Sequence, residues 1–256
     1  MGGAAAMVAD GVLENPKPDV SLALHLWNYR PLGWLGVAPG PVMAAAERFL
    51  IRIVGRGGHG ATPQLAIDPV VAGAQVIVAL QTIVARNVHP LESAVVSVTS
   101  MKGGETFNVI PERVELEGTI RTFDPGIRRL VLKRFDEVVR GVAGALGCQV
   151  EIEMLQLTQA VVNNGDITRR IHSLAAEILP EARIDGEYRT MGSEDMAVFM
   201  EDVPGCYFFV GSANAEKGLS AIHHHPRFDF EESVLPRAAG LMAAAAADLL
   251  AGYSLS

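Results

Sequence analysis

"AERFLIRIVG" (46–55) and "RVELEGTIRTF" (113–123) are two strand-like runs, and each is followed by an Asp-Pro step and a long apolar-periodic segment. The first run alternates apolar and polar residues, as a half-buried strand does. After a glycine loop, Asp68-Pro69 opens "VVAGAQVIVALQTIVAR" (70–86), where apolar residues recur at helical spacing. Asp can accept from the unpaired amides of a helix's first turn, and Pro suits the first helical position. "SAVVSVTSM" (93–101) reads as the next strand. The second copy runs from the strand at 113 through Asp124-Pro125 into "GIRRLVLKRFDEVVRGVAGAL" (126–146), and closes with the strand "CQVEIEML" (148–155). The order β-α-β-β-α-β predicts a ferredoxin-like split βαβ module. It is placed at 45–157, as an insertion in the flanking segments 1–44 and 158–256.

Those flanks read as part of an α/β layer domain. "KPDVSLALHLWNYRPLGWLGVA" (17–38) gives a short apolar strand and a turn-rich segment. "VVNNGDITRRIHSLAAEIL" (161–179) gives a loop, a helix and Asp166 as its cap. "GCYFFVGSAN" (205–214) reads as a buried strand ending in a glycine loop. "AAGLMAAAAADLLAG" (238–252) reads as a buried or docking helix, shorter than the ~20 apolar residues of a membrane span.

The chain has 256 residues, half of them apolar, enough for one large domain or two ordinary ones. A net charge of −8 argues against nucleic acid, whose phosphates attract basic surfaces, and against an anionic membrane. Cys148 and Cys206 stand far apart without CxxC spacing, so a disulfide framework is not expected and a reducing, cytoplasmic setting fits. "MGGAAAMVADG" has no basic region and no long apolar run, so no signal peptide is expected.

"AIHHHPRFDF" (221–230) holds three consecutive histidines. Imidazole is a common transition-metal ligand near neutral pH, but an extended backbone would turn at most two of the three to one side. The alternative is a polar surface loop. His25, in "LALHLWN", is placed at the end of an apolar strand, where sites on α/β sheets gather; the alternative is a core histidine. His59 lies among glycines in "GRGGHGATP", where an uncovered imidazole could donate to a developing oxyanion. The alternative is a plain connection between strand and helix. Asn108, in "GGETFNVIP", can bind a carbonyl or carboxylate or can simply form a turn. Arg121 suits a substrate carboxylate, or an ion pair at a sheet edge. "TMGSEDMAVF" (190–199) reads either as a helix start with Glu194 and Asp195 favourably placed, or as a substrate-binding turn offering amides and the Ser193 hydroxyl.

The order of five stretches says more than any one of them: "LHLWNYRPLGWLGVAPGPVMAAAERF", "GGHGATPQLAIDPV", "GGETFNVIPERVELEGTIRTFD", "MGSEDMAVF" and "HHPRFDFEE". Together they resemble the M20 metallopeptidase family, above all its amidohydrolase branch of aminoacylases, hippurate hydrolases and auxin-conjugate hydrolases. The resemblance implies hydrolysis of N-acyl amino acids, small peptides or related esters with a divalent metal (Zn, Mn, Ni or Co). It implies that 45–157 is a lid that also makes a homodimer. By the same resemblance, His25 and His224 are metal ligands and His223 a neighbour, and His59 reaches a partner subunit's site as an oxyanion donor. Asn108 holds substrate, with Arg121 and the Gly192-Ser193 turn as further substrate contacts. The family's Cys-Gly-His-Asp-Gly-His run and its Glu-Glu pair, which supply the other ligands and the general base, have no match in this chain. Standard two-metal hydrolysis is therefore not expected of these residues alone. The alternatives are an altered hydrolase with loose esterase activity, a dimerising protein without catalysis, or a protein that binds metal or acyl amino acids.

Overall fold

The computed structural model describes residues 2–252. In chain order the elements are α1 Gly3–Ala9, β1 Ser21–Pro31, β2 Trp34–Gly36, β3 Gly40–Met43, β4 Ala45–Val54, β5 Gly58–His59, α2 Pro69–Asn87, β6 Ala94–Lys102, β7 Val109–Ile110, β8 Arg113–Thr122, α3 Pro125–Ala145, β9 Gln149–Thr158, β10 Val161–Asn163, α4 Gly165–Ile178, β11 Arg183–Asp185, α5 Met196–Phe199, β12 Gly205–Ala213 and α6 Val234–Gly252. They fall into two compact α/β units, one of residues 44–160 and one of 1–43 with 161–256.

In the unit of 44–160, β4, β6, β8 and β9 form one antiparallel sheet in the order β6-β8-β4-β9. This is the ferredoxin-like arrangement, with α2 and α3 packed on one face. The Asp-Pro steps act as caps: Asp68 accepts from the amides of Val70 and Val71, and Asp124 accepts from that of Ile127. Alternation along β4 sends Phe49, Ile51 and Ile53 to the helices, where each is fully buried. Phe49 meets Phe135 of α3 with ring centroids 4.7 Å apart. Burying each such side chain stabilises by roughly 1.5–3 kcal/mol. Gly118 on β8 lets the strands close: a Cβ there would stand 2.0 Å from the Ser97 carbonyl oxygen and 2.4 Å from the Phe49 ring.

In the other unit a four-stranded sheet runs β1-β12-β2-β11, with β1 and β12 parallel. A short ladder joins β3 and β10. β12 is buried along almost its whole length, which explains its unbroken apolar run. α4 and α6 cover one face through Ile167, Ile171, Leu241 and Ala245. Arg170 of α4 pairs with Asp248 of α6 at 2.7 Å.

Several expectations need correction. His25 is not at the end of a strand but five residues into the eleven-residue β1; the ladder to β12 stays regular only through Trp27, so the histidine lies near its orderly limit. The cap of α4 is Asn164, not Asp166: Asn164 is extended and accepts from the amides of Asp166 and Ile167, and Asp166 is already in the first turn. Residues 161–163 form β10 rather than loop, and a helix over Gly3–Ala9 was not foreseen. α6 starts four residues before the Ala-rich stretch and reaches 19 residues. By length and composition it and α2 could cross a membrane, so shortness does not exclude it; α6 buries Val234, Ala238, Leu241, Ala245 and Leu249 along one stripe in the core of its unit.

A candidate metal-ligand pair and its surroundings

His25, Trp27 and Tyr29 alternate along β1 and so share one face of the strand. Their rings touch in series, with centroids 5.4 Å apart for His25–Trp27 and 5.0 Å for Trp27–Tyr29. The His25 Nδ1 stands 2.6 Å from the Leu26 carbonyl oxygen. A carbonyl only accepts, so Nδ1 is the donor, and in a neutral imidazole of this tautomer Nε2 keeps its lone pair. An imidazole oriented through Nδ1–H by a backbone carbonyl is the usual state of a metal-ligating histidine.

The histidine segment is not extended. It turns at 223–224 and again at 226–227. The amides of His225 and Phe228 donate to the carbonyls of Ile222 and His225. The three imidazoles therefore have separate surroundings. His223 lies among the rings of His25, Trp27, Tyr29 and Phe228, at centroid distances of 4.9, 4.8, 5.4 and 5.1 Å. Its Nε2 stands 2.9 Å from the same Leu26 oxygen, so Nε2 carries the proton; its Nδ1 is buried and without a partner among the described residues. Burial lowers the His223 pKa, the Leu26 hydrogen bond opposes that, and the nearby His25 and His224 charges lower it further. His224 is exposed and has φ 65°, the only positive value outside glycine among the described residues. A side chain held in the left-handed region is costly and concentrates at functional sites. The His225 Nδ1 accepts from the Arg227 amide.

The turn at 190–195 is tied to β3, since the Thr190 amide donates to the Val42 carbonyl and the Gly192 amide donates to Thr190 Oγ1. Glu194 accepts from the Tyr207 hydroxyl at 3.1 Å and from the Asp195 amide at 2.9 Å. Burial, then the Glu194 and Asp195 charges, push the Tyr207 pKa up, which keeps its proton in place. Asp195 does not cap α5; its Oδ2 accepts from the Ala4 amide at the start of α1.

In the unit of 44–160, β5 and β7 pair and bring His59 beside Asn108: the Gly60 amide donates to the Asn108 carbonyl at 2.8 Å. Both side chains are exposed. A Cβ on Gly60 would crowd the Asn108 backbone at 3.1 Å, so glycine permits this approach. His59 Nδ1 accepts from the Ala61 amide, which leaves Nε2 as the protonated, outward nitrogen. Arg121 is elsewhere. It pairs with Ala46 at the opposite end of β8 from Arg113, roughly 26 Å along the strand. β8 is an interior strand, which rules out an ion pair at a sheet edge. Burial lowers the Arg121 pKa, and the Glu47 charge opposes that.

The aromatic set of Trp27, Tyr29 and Phe228, with Asn28 beside it, was not singled out in the sequence. The signal was there, in the period-two spacing of His25, Trp27 and Tyr29.

Residues 1–248 match peptidase family M20/M25/M40. The chain belongs to this family. It is 36% identical to the N-acetyl-L-cysteine deacetylase of Bacillus subtilis (strain 168) over 97% of this chain and 58% of that protein. It is 34% identical to the IAA-amino acid hydrolase ILR1-like 4 of Arabidopsis thaliana over 96% of this chain and 56% of that protein. Among solved structures, the Bacillus subtilis YXEP protein, described as a dinuclear metal binding peptidase from the M20 family, superposes with a TM-score of 0.78 at 30% identity, over 98% of this chain and 62% of that one. The chain thus spans about three fifths of the length of the relatives it matches.

M20 membership implies a divalent metal, and the fit of this chain is partial. His25 has an Nε2 of the right chemistry, and His224 follows His223, the residue that packs in the aromatic set, but is itself exposed. Among the described residues no group of three or more His, Cys, Asp or Glu could hold an ion. A catalytic zinc site takes three protein ligands, so these residues do not complete one.

Proposed function

We propose that this chain forms part of a metal-dependent amidohydrolase acting on N-acyl amino acids, small peptides or related esters. The observation that carries the reading is the His25 tautomer, fixed by the Leu26 carbonyl so that Nε2 is open. A bound divalent ion would supply an activated hydroxide and polarise the scissile carbonyl. The remaining roles belong to protein groups. His25 and His224 serve as ligands. His59 offers an outward Nε2–H to the developing oxyanion of a partner subunit's substrate. Asn108 binds the substrate carbonyl or carboxylate, and the turn at Gly192 and Ser193 is a further substrate contact. Arg121 is a separate carboxylate-binding proposal, since it lies far along β8 from His59. The unit of 44–160 serves as the lid and as the contact of a homodimer.

A second reading has its own support. Because no group of three or more His, Cys, Asp or Glu among the described residues could hold an ion, the chain by itself fits a dimerising or metal-binding protein without catalysis.

Elemental analysis of the purified 256-residue chain, with an N-acyl amino acid and an activated ester assayed on the same sample, separates the two. Bound metal and EDTA-sensitive turnover are the expected result for the hydrolase. Metal without turnover leaves the binding reading, and neither metal nor turnover overturns both metal-based readings for this chain.

A further inference from the structure

The segment 221–229 has no helix or strand of its own, yet it carries His224. Three side-chain hydrogen bonds fasten it to β1. The Asn28 amide donates to the Ala221 carbonyl at 3.0 Å and to the Asp229 carbonyl at 2.6 Å, which pins both ends of the segment. Asn28 is itself fixed, being 4% exposed, by the Ser212 hydroxyl that donates to its Oδ1 at 2.5 Å. Between these two pins the His223 Nε2–H donates to the Leu26 oxygen of β1 at 2.9 Å. That oxygen also orients His25. One carbonyl with two lone pairs thus receives both imidazoles, one from the strand and one from the turn.

We propose that His223 is a positioning residue: its Nε2–H bolts the histidine turn to the Leu26 carbonyl and so fixes the turn that carries His224 against β1. The ring stack places the imidazole, and the N–H fixes the register of the turn. His224, between the inward His223 and the exposed His225, carries the left-handed backbone of the turn. The proposal rests on the ligand roles proposed above for His25 and His224, but its first test does not depend on them.

His223→Phe keeps a ring for Trp27, Tyr29 and Phe228 and removes the donor. His223→Gln keeps an amide donor and removes the ring. Amide hydrogen exchange of His225 and Phe228, read by NMR on the metal-free chain, reports the turn; the Phe208 amide in β12 checks that each variant folds. Loss of one net hydrogen bond predicts exchange about tenfold faster at both turn amides in His223→Phe. His223→Gln should stay within about threefold of the parent. Unchanged exchange in His223→Phe would overturn the bolt, and with faster exchange in His223→Gln would assign the hold to ring stacking; equal loss in both variants would also overturn it, because the donor alone would not hold the turn. In a second arm, zinc chloride is titrated against the imidazole signals. In the parent and in His223→Gln, the His25 and His224 signals should move together; in His223→Phe they should not. Zinc that shifts neither in the parent overturns the ligand reading and leaves the exchange result to judge the bolt. Zinc that moves the His223 signal through direct coordination overturns the positioning role.

Discussion

Asn28 gives the sharpest test of how the histidine segment is held. Asn28→Ala removes two donors and one acceptor. The Ser212 hydroxyl is then stranded in a fully buried position, which costs about 1–3 kcal/mol. The Ala221 and Asp229 carbonyls lie in half-buried and exposed residues, so they recover water once the segment loosens. The sum is about 2 kcal/mol, or roughly 4–8 °C in melting temperature for a chain of this size. Asn28→Asp is close in shape and should be worse. It keeps the Ser212 bond but points an acceptor oxygen at two carbonyl oxygens, and it puts a charge at a buried position. It should fall at least ~1 kcal/mol below the alanine variant at neutral pH. Urea unfolding with a common slope measures both, and exchange at His225 and Phe228 shows where the loss sits. If Asn28→Asp is as stable as Asn28→Ala, the two donor bonds do not hold the segment and the clamp is wrong.

Glu47 is fully buried and paired with Arg128, whose side chain is 28% exposed. Arg128→Ala should therefore cost about 1–3 kcal/mol by removing the hydrogen-bonded partner of a buried carboxylate that Arg121 still attracts, and Glu47→Met only about 1 kcal/mol because Arg128 can turn to water; urea midpoints in the reverse order would refute this. Glu231 is held by Lys217 at 2.7 Å and Asn214 at 2.8 Å, which brings its pKa down to about 2 from an ordinary 4.5. A depressed carboxylate pKa means stability present above 4.5 and lost as pH falls toward about 2, so the parent should lose more stability than Glu231→Gln between pH 5 and pH 2.5. His59→Ala should cut turnover of an activated ester by about 10²–10³-fold with no change in melting temperature, since the ring is exposed; turnover equal to the parent would remove His59 from the mechanism. Sedimentation should show a homodimer, in keeping with the long unpaired edge of β1 and the open edges of β6 and β9; a clean monomer would contradict it.

The ferredoxin-like unit was legible because its signals are local. Asp68-Pro69 and Asp124-Pro125 carry their own capping chemistry, and β8 throughout and β4 from Phe49 onward alternate because one face of the sheet is packed and the other is more open. Short elements such as β10 and α1 were not legible, since three or seven residues carry too little periodicity to outweigh their neighbours. The candidate ligands His25 and His224 could be named from motif order, but the nearness of His59 to Asn108 could not, since β5 and β7 pair with α2 and β6 between them in the chain. The sequence by itself determined which residue types were available and where the caps and alternations fall. Only the tertiary structure decided that Leu26 offers one carbonyl both to its neighbour His25 and to His223, 197 positions away, that Asn28 reaches across 193 and 201 positions to pin a loop, and that His223 faces in while His224 stands out. Those choices depend on hydrogen bonds between distant segments, which no local propensity encodes.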